Sequence, residues 1–508
     1  MMTSGAKAGE AALVGRRLTR PYQPIDLFAA LASHGAPMFI RRTGGWSLIL
    51  VDAALRLEAT KGDARIEALS EGGELLLDAI AARLADHLVD RSGRVATFRF
   101  IRSDDPDEEA RAAGPSALDA LRAMLAAVRP LDRDEPFALC AAGIIGFDHV
   151  DMLEDLPPRP DGDFPDVVFL LAETVVVIEP SRAARVLALA VGSDDAAVAH
   201  RQISLASERL ARLVERCDQA RPPALADAPT NLPVTTDQDD GEYAAVVERL
   251  KENIFAGDIF QVVPSRAFRT ACDDPLAAFR RLVAADPSAY NFCVDTGRGT
   301  LFGASPETAV EIRRDDEGLT VAVSPIAGTR PRGKSGDEDD RHEADLRLDR
   351  KELAEHMMLV DLARNDVARV AARGTRRIAS LLGVERFARV MHLVSSVEGR
   401  LAEGRDAIDV IRTCLNVGTL SGAPKLKAIE LIRGVERSPR GPYGGAVGWL
   451  LGDGSMDTAV VIRSALVRAG IAEVRAGAGV VADSVPLAEA AETRIKASAV
   501  LAALGAVA

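Results

Sequence analysis

Cysteine is scarce and unpatterned in this chain. Its five cysteines, Cys140, Cys217, Cys272, Cys293 and Cys414, show no Cys-x-x-Cys spacing, which excludes a disulfide framework and a zinc cluster and points to a reducing cytoplasm. No secretory signal is expected either, because MMTSGAKAGEAALVGRR has no sustained apolar core. The apolar run VVFLLAETVVVIEP is interrupted by Glu173 and is too short to cross a bilayer, so no membrane role is expected. Positive charge is in deficit: the net charge is -13, which argues against general affinity for nucleic acid or anionic membrane while leaving room for a local basic pocket that holds a small anion. There are only seven histidines. His392, in VMHLVSSV, suits a hydrogen-bonded core residue as well as a catalyst.

What the chain does have is bulk. With 508 residues, 48% of them hydrophobic and 27% charged, it can bury a large core in more than one domain or one composite one. Periodic apolar residues give way to proline, threonine and aspartate in QARPPALADAPTNLPVTTDQDDG, Gln219 to Gly241. We read a surface connection over 219–240, an N-terminal region over 1–218 and a catalytic region over 241–508. Helical periodicity marks GELLLDAIAARLADHL, EYAAVVERLKENIFAGD, KELAEHMMLVDLARNDVARV and LAEAAETRIKASAVLAAL. Strand patterns mark RVATFRF, TVVVIEP, IFQVVPSRAF, DTAVVIRSALV and AEVRAGAGVV. Helices and strands do not alternate regularly, which favours α+β layers over a doubly wound parallel sheet.

Several segments can carry chemistry. Glu352 and Glu355 share one helix face, and Glu489, Glu492 and Lys496 share another. Such faces serve as solvated surfaces with weak ion pairs, or one carboxylate from each helix meets the other around a hard cation such as magnesium; the spacing fits both. AGAGVVADS, Ala476 to Ser484, reads either as a tight turn needing positive φ or as a place where an anion approaches backbone amides. In GTLSGAPK, Ser421 is placed to cap a helix whose first turn holds Pro424. SPIAGTRPRG sets a small, inert Ala327 beside Gly328 and Thr329.

In their order along the chain these pieces resemble the chorismate-utilising enzymes, most closely the anthranilate synthase component I branch. The resemblance is carried by QVVPSR at Gln261, FGASPE ending at Glu307, PIAGTRPRG, KELAEHMMLVDLARND, VMHLVSSVEG, GTLSGAPK, RGPYGGAVGW, DTAVVIR and AGAGVVADSVPLAEAAETRIK. It covers most of Gly241 to Ala508 and, more weakly, SLILVDAALRLEA and IEALSEGGELLL. It implies a large α+β fold with an antiparallel β core and surrounding helices, the N-terminal half packing around the catalytic half. It also implies chorismate as substrate and Mg2+ as cofactor, with Glu355 and Glu492 as metal ligands, directly or through water. Gly328, Thr329, Thr419, Tyr443, Arg463, Gly477, Ala478, Gly479 and Lys496 match substrate-binding positions. Glu307 is placed to protonate the departing hydroxyl, His392 to take the ring proton in a second step, and Gln261 sits at a catalytic position of the family.

The resemblance gives Ala327 a meaning. Relatives that form a covalent adduct have a lysine where this chain has Ala327, and relatives that activate water have a lysine where it has Gln261. With both lysines absent, free ammonia is the implied nucleophile: amination with loss of the hydroxyl gives 2-amino-2-deoxyisochorismate, and pyruvate elimination gives anthranilate. An enzyme stopping at the amino intermediate shares nearly every motif quoted. A noncatalytic chorismate-binding subunit fits less well, having little need of a proton donor and a metal together. No Gly-x-Cys-x-Gly elbow with a downstream His-x-Glu occurs, so a separate glutamine amidotransferase subunit is the expected ammonia source, in a hetero-oligomer. Finally, APMFIRRTGGWSLILVD lacks the Leu-Leu-Glu-Ser type element of tryptophan-regulated relatives, and PSAYNF replaces Pro-Ser-Pro-Tyr-Met. Weak or absent tryptophan inhibition is implied.

Overall fold

A computed structural model describes residues 6–105, 107–386 and 390–507. Among them, 23 strands join into one hydrogen-bonded network. The pairings are antiparallel apart from the short contact between Glu10–Arg17 and Arg129–Pro130. Helices lie against this network, which is the α+β arrangement with an antiparallel core. No helix among the described residues is long and apolar enough to cross a membrane.

Strands distant in sequence interlock. Met38–Arg42 pairs with Tyr290–Asp295, and Cys140–Ile145 with Ala446–Leu451. The apolar core crosses the same seam: Phe28 stacks on Phe39 with ring centroids 5.2 Å apart, and Phe39 meets Phe279 at 5.9 Å. Aromatic pairs of this kind add about 1 kcal/mol beyond the area they bury, so packing as well as strand pairing joins N-terminal elements to later ones. Between them, residues 220–234 run largely exposed before Thr235–Thr236 pairs with Phe268 and Arg269.

Local signals explain most element ends. Asp239 and Glu242 form a reciprocal capping box at the start of the helix Asp240–Ala256, and Gly257, at φ 85°, closes it in the left-handed conformation that glycine tolerates. Five readings require correction. IFQVVPSRAF is not one strand: Gln261–Val262 and Ser265–Ala271 are separate strands in different sheets. GELLLDAIAARLADHL is helical only over Glu71–Arg83; a 3-10 turn, Ala85–His87, then leads into the strand Leu88–Ser92. DTAVVIRSALV is not one strand but two, Met456–Val460 and Ser464–Arg468, because Arg463 holds φ 50°, which breaks the extended ladder. Ser421 does not cap: its hydroxyl donates to Val417 O, and Pro424 is itself the N-cap of the helix Lys425–Val435. Gly422–Ala423 instead pairs with Gln261–Val262. AGAGVVADS needs its glycines for space rather than for positive φ. A Cβ on Gly477 would lie 2.5 Å from Pro264 O, and one on Gly479 3.0 Å from Gln261 Nε2.

Candidate active site

Two helices and three strand ends converge on one place. The helix Arg350–Val370, capped by Asp349 accepting from the amides of Lys351 and Glu352, carries Glu355. The helix Pro486–Leu504, with proline in its first turn and a left-handed Gly505 at its end, carries Glu489, Glu492 and Lys496. Glu355 feels the negative charge of Glu352, Glu489 and Glu492; with burial as the main cause and Lys351 opposing, its carboxyl is pushed up to about 7. Burial likewise pushes Glu489 up, against a hydrogen bond from Ser484. Lys351 Nζ stands 3.8 Å from Glu355 Oε1 and Lys496 Nζ 2.7 Å from Glu492 Oε1.

Carboxylates gathered so closely gain from a nearby cation, and an all-oxygen set suits a hard ion that keeps its waters. Among the described residues no three ligand side chains form a closed cage. The arrangement therefore fits an ion held by one or two carboxylates and completed by water or substrate oxygens, not a structural all-protein site. Glu352 turns elsewhere, accepting from Arg330 Nη1 at 3.2 Å.

Glu307 lies in the turn between the strands Thr300–Ser305 and Thr308–Asp315. It is buried, and its Oε1 accepts from the Thr419 hydroxyl at 2.7 Å. Burial pushes its carboxyl up to about 7, with Thr419 and Lys496 holding it back. A carboxyl poised near neutrality is a candidate proton donor.

His392 lies on the strand Val390–Arg400, and its Nδ1 is 3.1 Å from Gly328 O and 3.0 Å from Thr329 Oγ1. A carbonyl only accepts, so Nδ1 carries the hydrogen and Nε2 keeps its lone pair. Burial lowers the imidazole's affinity for a proton against the pull of Gly328, and the charges of Arg463 and Lys496 lower it further. Gly328 sits at φ 76° in a bulge where the register shifts between Ala327 and Thr329.

Lys496 links the parts. Its ammonium donates to Gly477 O at 3.1 Å, and its own carbonyl accepts from Arg463 Nη1 at 3.3 Å. Arg463 is partly buried, and that burial lowers its proton affinity against the pull of Asp286, Tyr443 and Glu492. The Tyr443 phenol is pushed up to about 12 by burial. Gln261 is buried with Oε1 unpartnered, beside Gly479. The expected positions Gln261, Glu307, Gly328, Thr329, Glu355, His392, Thr419, Tyr443, Arg463, Gly477, Ala478, Gly479, Glu492 and Lys496 thus stand on neighbouring segments around one site.

Sequence reasoning missed the support beneath it. Glu436 accepts from Ser265 N at 2.8 Å, Ser265 Oγ at 2.7 Å and Arg440 Nη2 at 2.6 Å. Arg440 also donates to Leu420 O at 2.7 Å and Val263 O at 2.6 Å, and Arg475 Nη1 to Ser265 Oγ at 3.1 Å. Satisfied at every buried atom but Arg475 Nε, this network ties together the segments that carry Gln261, Thr419 and Gly477. Arg440 lies within RGPYGGAVGW, where a buried-arginine role was open to inference; Glu436 had no local signal.

A family model described as chorismate binding enzyme matches residues 83–502. The chain is 45% identical over 469 residues to anthranilate synthase component 1 of Vibrio cholerae, covering 90% of this chain and 88% of that one. It is 43% identical over 478 residues to the pyocyanine-specific anthranilate synthase component 1 of Pseudomonas aeruginosa, covering 91% and 87%. The structure superposes on anthranilate synthase component I from Streptococcus pneumoniae with TM-score 0.68 and 27% identity, over 90% of this chain and 92% of that one. The menaquinone-specific isochorismate synthase of Escherichia coli, at 18% identity and TM-score 0.67 over 99% and 96%, shares the fold. The chain belongs to the chorismate-binding enzymes and, within them, to the anthranilate synthase component 1 family.

Proposed function

We propose that this chain converts chorismate to anthranilate, with ammonia as the nucleophile. What supports the reading is the presence in one site of Glu307, a buried acid near neutrality, and His392, an imidazole whose Nδ1 is held by the Gly328 carbonyl, both within the field of Lys496.

Ammonia forms a bond to the ring, the ring double bond shifts, and the C–O bond to the hydroxyl breaks. Glu307 supplies the proton with which that hydroxyl leaves as water. The nitrogen sheds a proton, giving 2-amino-2-deoxyisochorismate. His392 then takes the ring proton, the electron pair aromatises the ring as the ether C–O bond breaks, and the enolpyruvate that leaves takes up a proton to become pyruvate. Neither Ala327 nor Gln261 offers an amine or a base, so neither a covalent adduct nor activated water competes. Arg463 and Lys496 supply positive charge for the substrate's carboxylates, Arg463 through a planar fork that can pair with both oxygens. Glu355 and Glu492 would hold magnesium, directly or through water; when bound, it supplies charge to the ring carboxylate. A separate glutamine amidotransferase subunit is the proposed source of ammonia in the cell.

The test is a product assay with chorismate, magnesium and ammonium salt. Pyruvate and anthranilate appearing together is the expected result. An amino product that keeps its enolpyruvyl group means that the reaction stops earlier, and no amination at all overturns the reading.

A further inference from the structure

The helix Pro486–Leu504 has little to fix its first turns. Val485, its N-cap, makes no side-chain hydrogen bond, and the side chains it buries before Val500 are Glu489, Ala490, Thr493 and Ala497. Methyl groups make shallow ridges, so packing alone sets the rotation and register of this stretch loosely. The same stretch carries Glu492. Its anchor is polar: the buried Arg266 donates from Nε to Thr493 Oγ1 at 2.9 Å and from Nη2 to Ala490 O at 2.9 Å, while Thr493 Oγ1 donates to that same carbonyl at 2.8 Å. The guanidinium is itself held. Nη1 donates to Gln238 O at 3.1 Å and Nη2 also to Asp240 Oδ1 at 2.7 Å, and Cζ lies 5.2 Å from the centre of the Tyr243 ring and 5.1 Å from that of Phe268.

We propose that Arg266 and Thr493 are positioning residues for Glu492: together they set the rotation and register of the helix turn from which that carboxylate reaches toward Glu355. The reasoning is geometric. Donors in a rigid planar fork that meet acceptors on residues 490 and 493, about one turn apart, restrain the helix both around and along its axis, which a single bond cannot do. The strand Ser265–Ala271 sets Arg266 opposite Ala476, beside Gly477, whose carbonyl takes the Lys496 ammonium. The turn is thus tied to one pair of strands at two points, with Glu492 between them in sequence. A carboxylate that is to share an ion with another helix must be placed closely, and the groups that place it tune the affinity.

This rests on the proposed metal role of Glu492, and the test separates the two. Thr493→Val keeps the shape and removes the hydroxyl; Thr493→Ser keeps the hydroxyl and removes a buried methyl. Binding of Mn2+, an ion with the same preference for oxygen ligands, is followed by loss of the free-ion electron paramagnetic resonance signal, with chorismate present and ammonia omitted. The magnesium requirement of turnover is measured beside it. The expected result is that Thr493→Val weakens Mn2+ binding and raises the magnesium concentration for half-maximal rate by about tenfold, the lower end for loss of a group that supports a metal ligand. Thr493→Ser should stay within about twofold of wild type in both, although its melting temperature falls through the lost methyl. Arg266→Lys, which keeps the charge but not the fork, should move both in the direction of Thr493→Val. In a Glu492→Gln background Thr493→Val should add nothing further, while in a Glu355→Gln background its effect should persist. If Thr493→Val leaves Mn2+ binding unchanged, if Thr493→Ser weakens it equally, or if the effect survives in Glu492→Gln, these residues have no such role. If Glu492→Gln itself leaves Mn2+ binding unchanged, it is the metal assignment that falls.

Discussion

The Thr419 hydroxyl donates to Glu307 Oε1 at 2.7 Å inside a buried turn. A donor to the carboxylate favours its ionised form and so opposes the burial that pushes Glu307 up to about 7. Glu307 works as an acid only while protonated, so chorismate consumption should decline as pH rises through about 7. Thr419→Val removes the opposing bond and should move that alkaline limb upward. Glu307→Gln should lower turnover by about 10²-fold or more, the usual contribution of a general acid. A limb that stays in place in Thr419→Val argues against Glu307 as the acid.

The same carboxyl sets a stability test. Its folded-state value, about 7, lies above its ordinary 4.5, so the folded form holds the proton more tightly than the unfolded chain. That stabilisation is complete below about 4.5 and is lost as pH rises through about 7. The difference corresponds to about 3 kcal/mol for this buried group. Melting curves of Glu307→Gln and wild type should therefore diverge in favour of the variant between pH 5 and 8, both limits being approximate and set by that window; parallel curves would mean that Glu307 is not buried in solution.

Glu355 and Glu492 come from different helices, and the repulsion among Glu352, Glu355, Glu489 and Glu492 is part of what raises Glu355. Replacing Glu355 or Glu492 with Gln should raise the magnesium concentration needed for half-maximal rate by about tenfold or more, in line with loss of a direct or supporting metal contact. Melting temperature should hold or rise, because like-charge repulsion is relieved. Unchanged magnesium dependence in both variants would remove the metal assignment.

Much of this site is legible in sequence where the signal is local. The three- and four-residue spacing of Glu489, Glu492 and Lys496 puts them on one helix face, and Asp239 with Glu242 announces a helix start. What is not legible depends on distant partners. Ser421 reads as a cap, yet the adjacent Gly422–Ala423 is captured by Gln261–Val262 and displaces the helix start to Lys425. Arg463 carries no sign of its left-handed backbone, because tertiary packing and its hydrogen bond to Lys496 O impose it. The pairing of Met38–Arg42 with Tyr290–Asp295 is invisible to any local pattern. The family resemblance supplied the grouping of residues that periodicity alone left open.

The two glycines of Gly477–Ala478–Gly479 should respond differently to alanine. At Gly477 the added methyl would meet the Pro264 carbonyl at 2.5 Å and Tyr443 Oη at 3.1 Å, and the backbone cannot yield easily; at Gly479 it would meet the end of the Gln261 side chain at 3.0 Å. Gly477→Ala should therefore cost about 1–3 kcal/mol of stability, as overpacking does, and raise the KM for chorismate. Gly479→Ala should leave the melting temperature nearly unchanged and alter turnover through Gln261. Equal stability losses would show that the wall is not built as described.

Arg42 lies opposite Tyr290 across the pairing of Met38–Arg42 with Tyr290–Asp295, within the two segments where the family resemblance implies a departure from tryptophan-regulated enzymes. Between them Arg42 Nη1 binds Glu311 Oε1 at 2.6 Å and Asp457 Oδ2 at 3.2 Å, while Tyr290 Oη donates to Asp457 Oδ1 at 2.7 Å. The side chains here satisfy one another, so an amino acid binding at this seam would have to break an ion pair whose Asp457 is mostly shielded from solvent and pushed up by that burial. A tryptophan titration should accordingly leave the rate unchanged, and potent inhibition would overturn this account. Arg42→Ala should cost about 2 kcal/mol, less than a fully buried pair because Arg42 is partly exposed. Its melting loss should shrink on acidification, since protonating Asp457, whose affinity for a proton is raised, removes charge that Arg42 compensates; a loss independent of pH would show that Arg42 acts by packing alone.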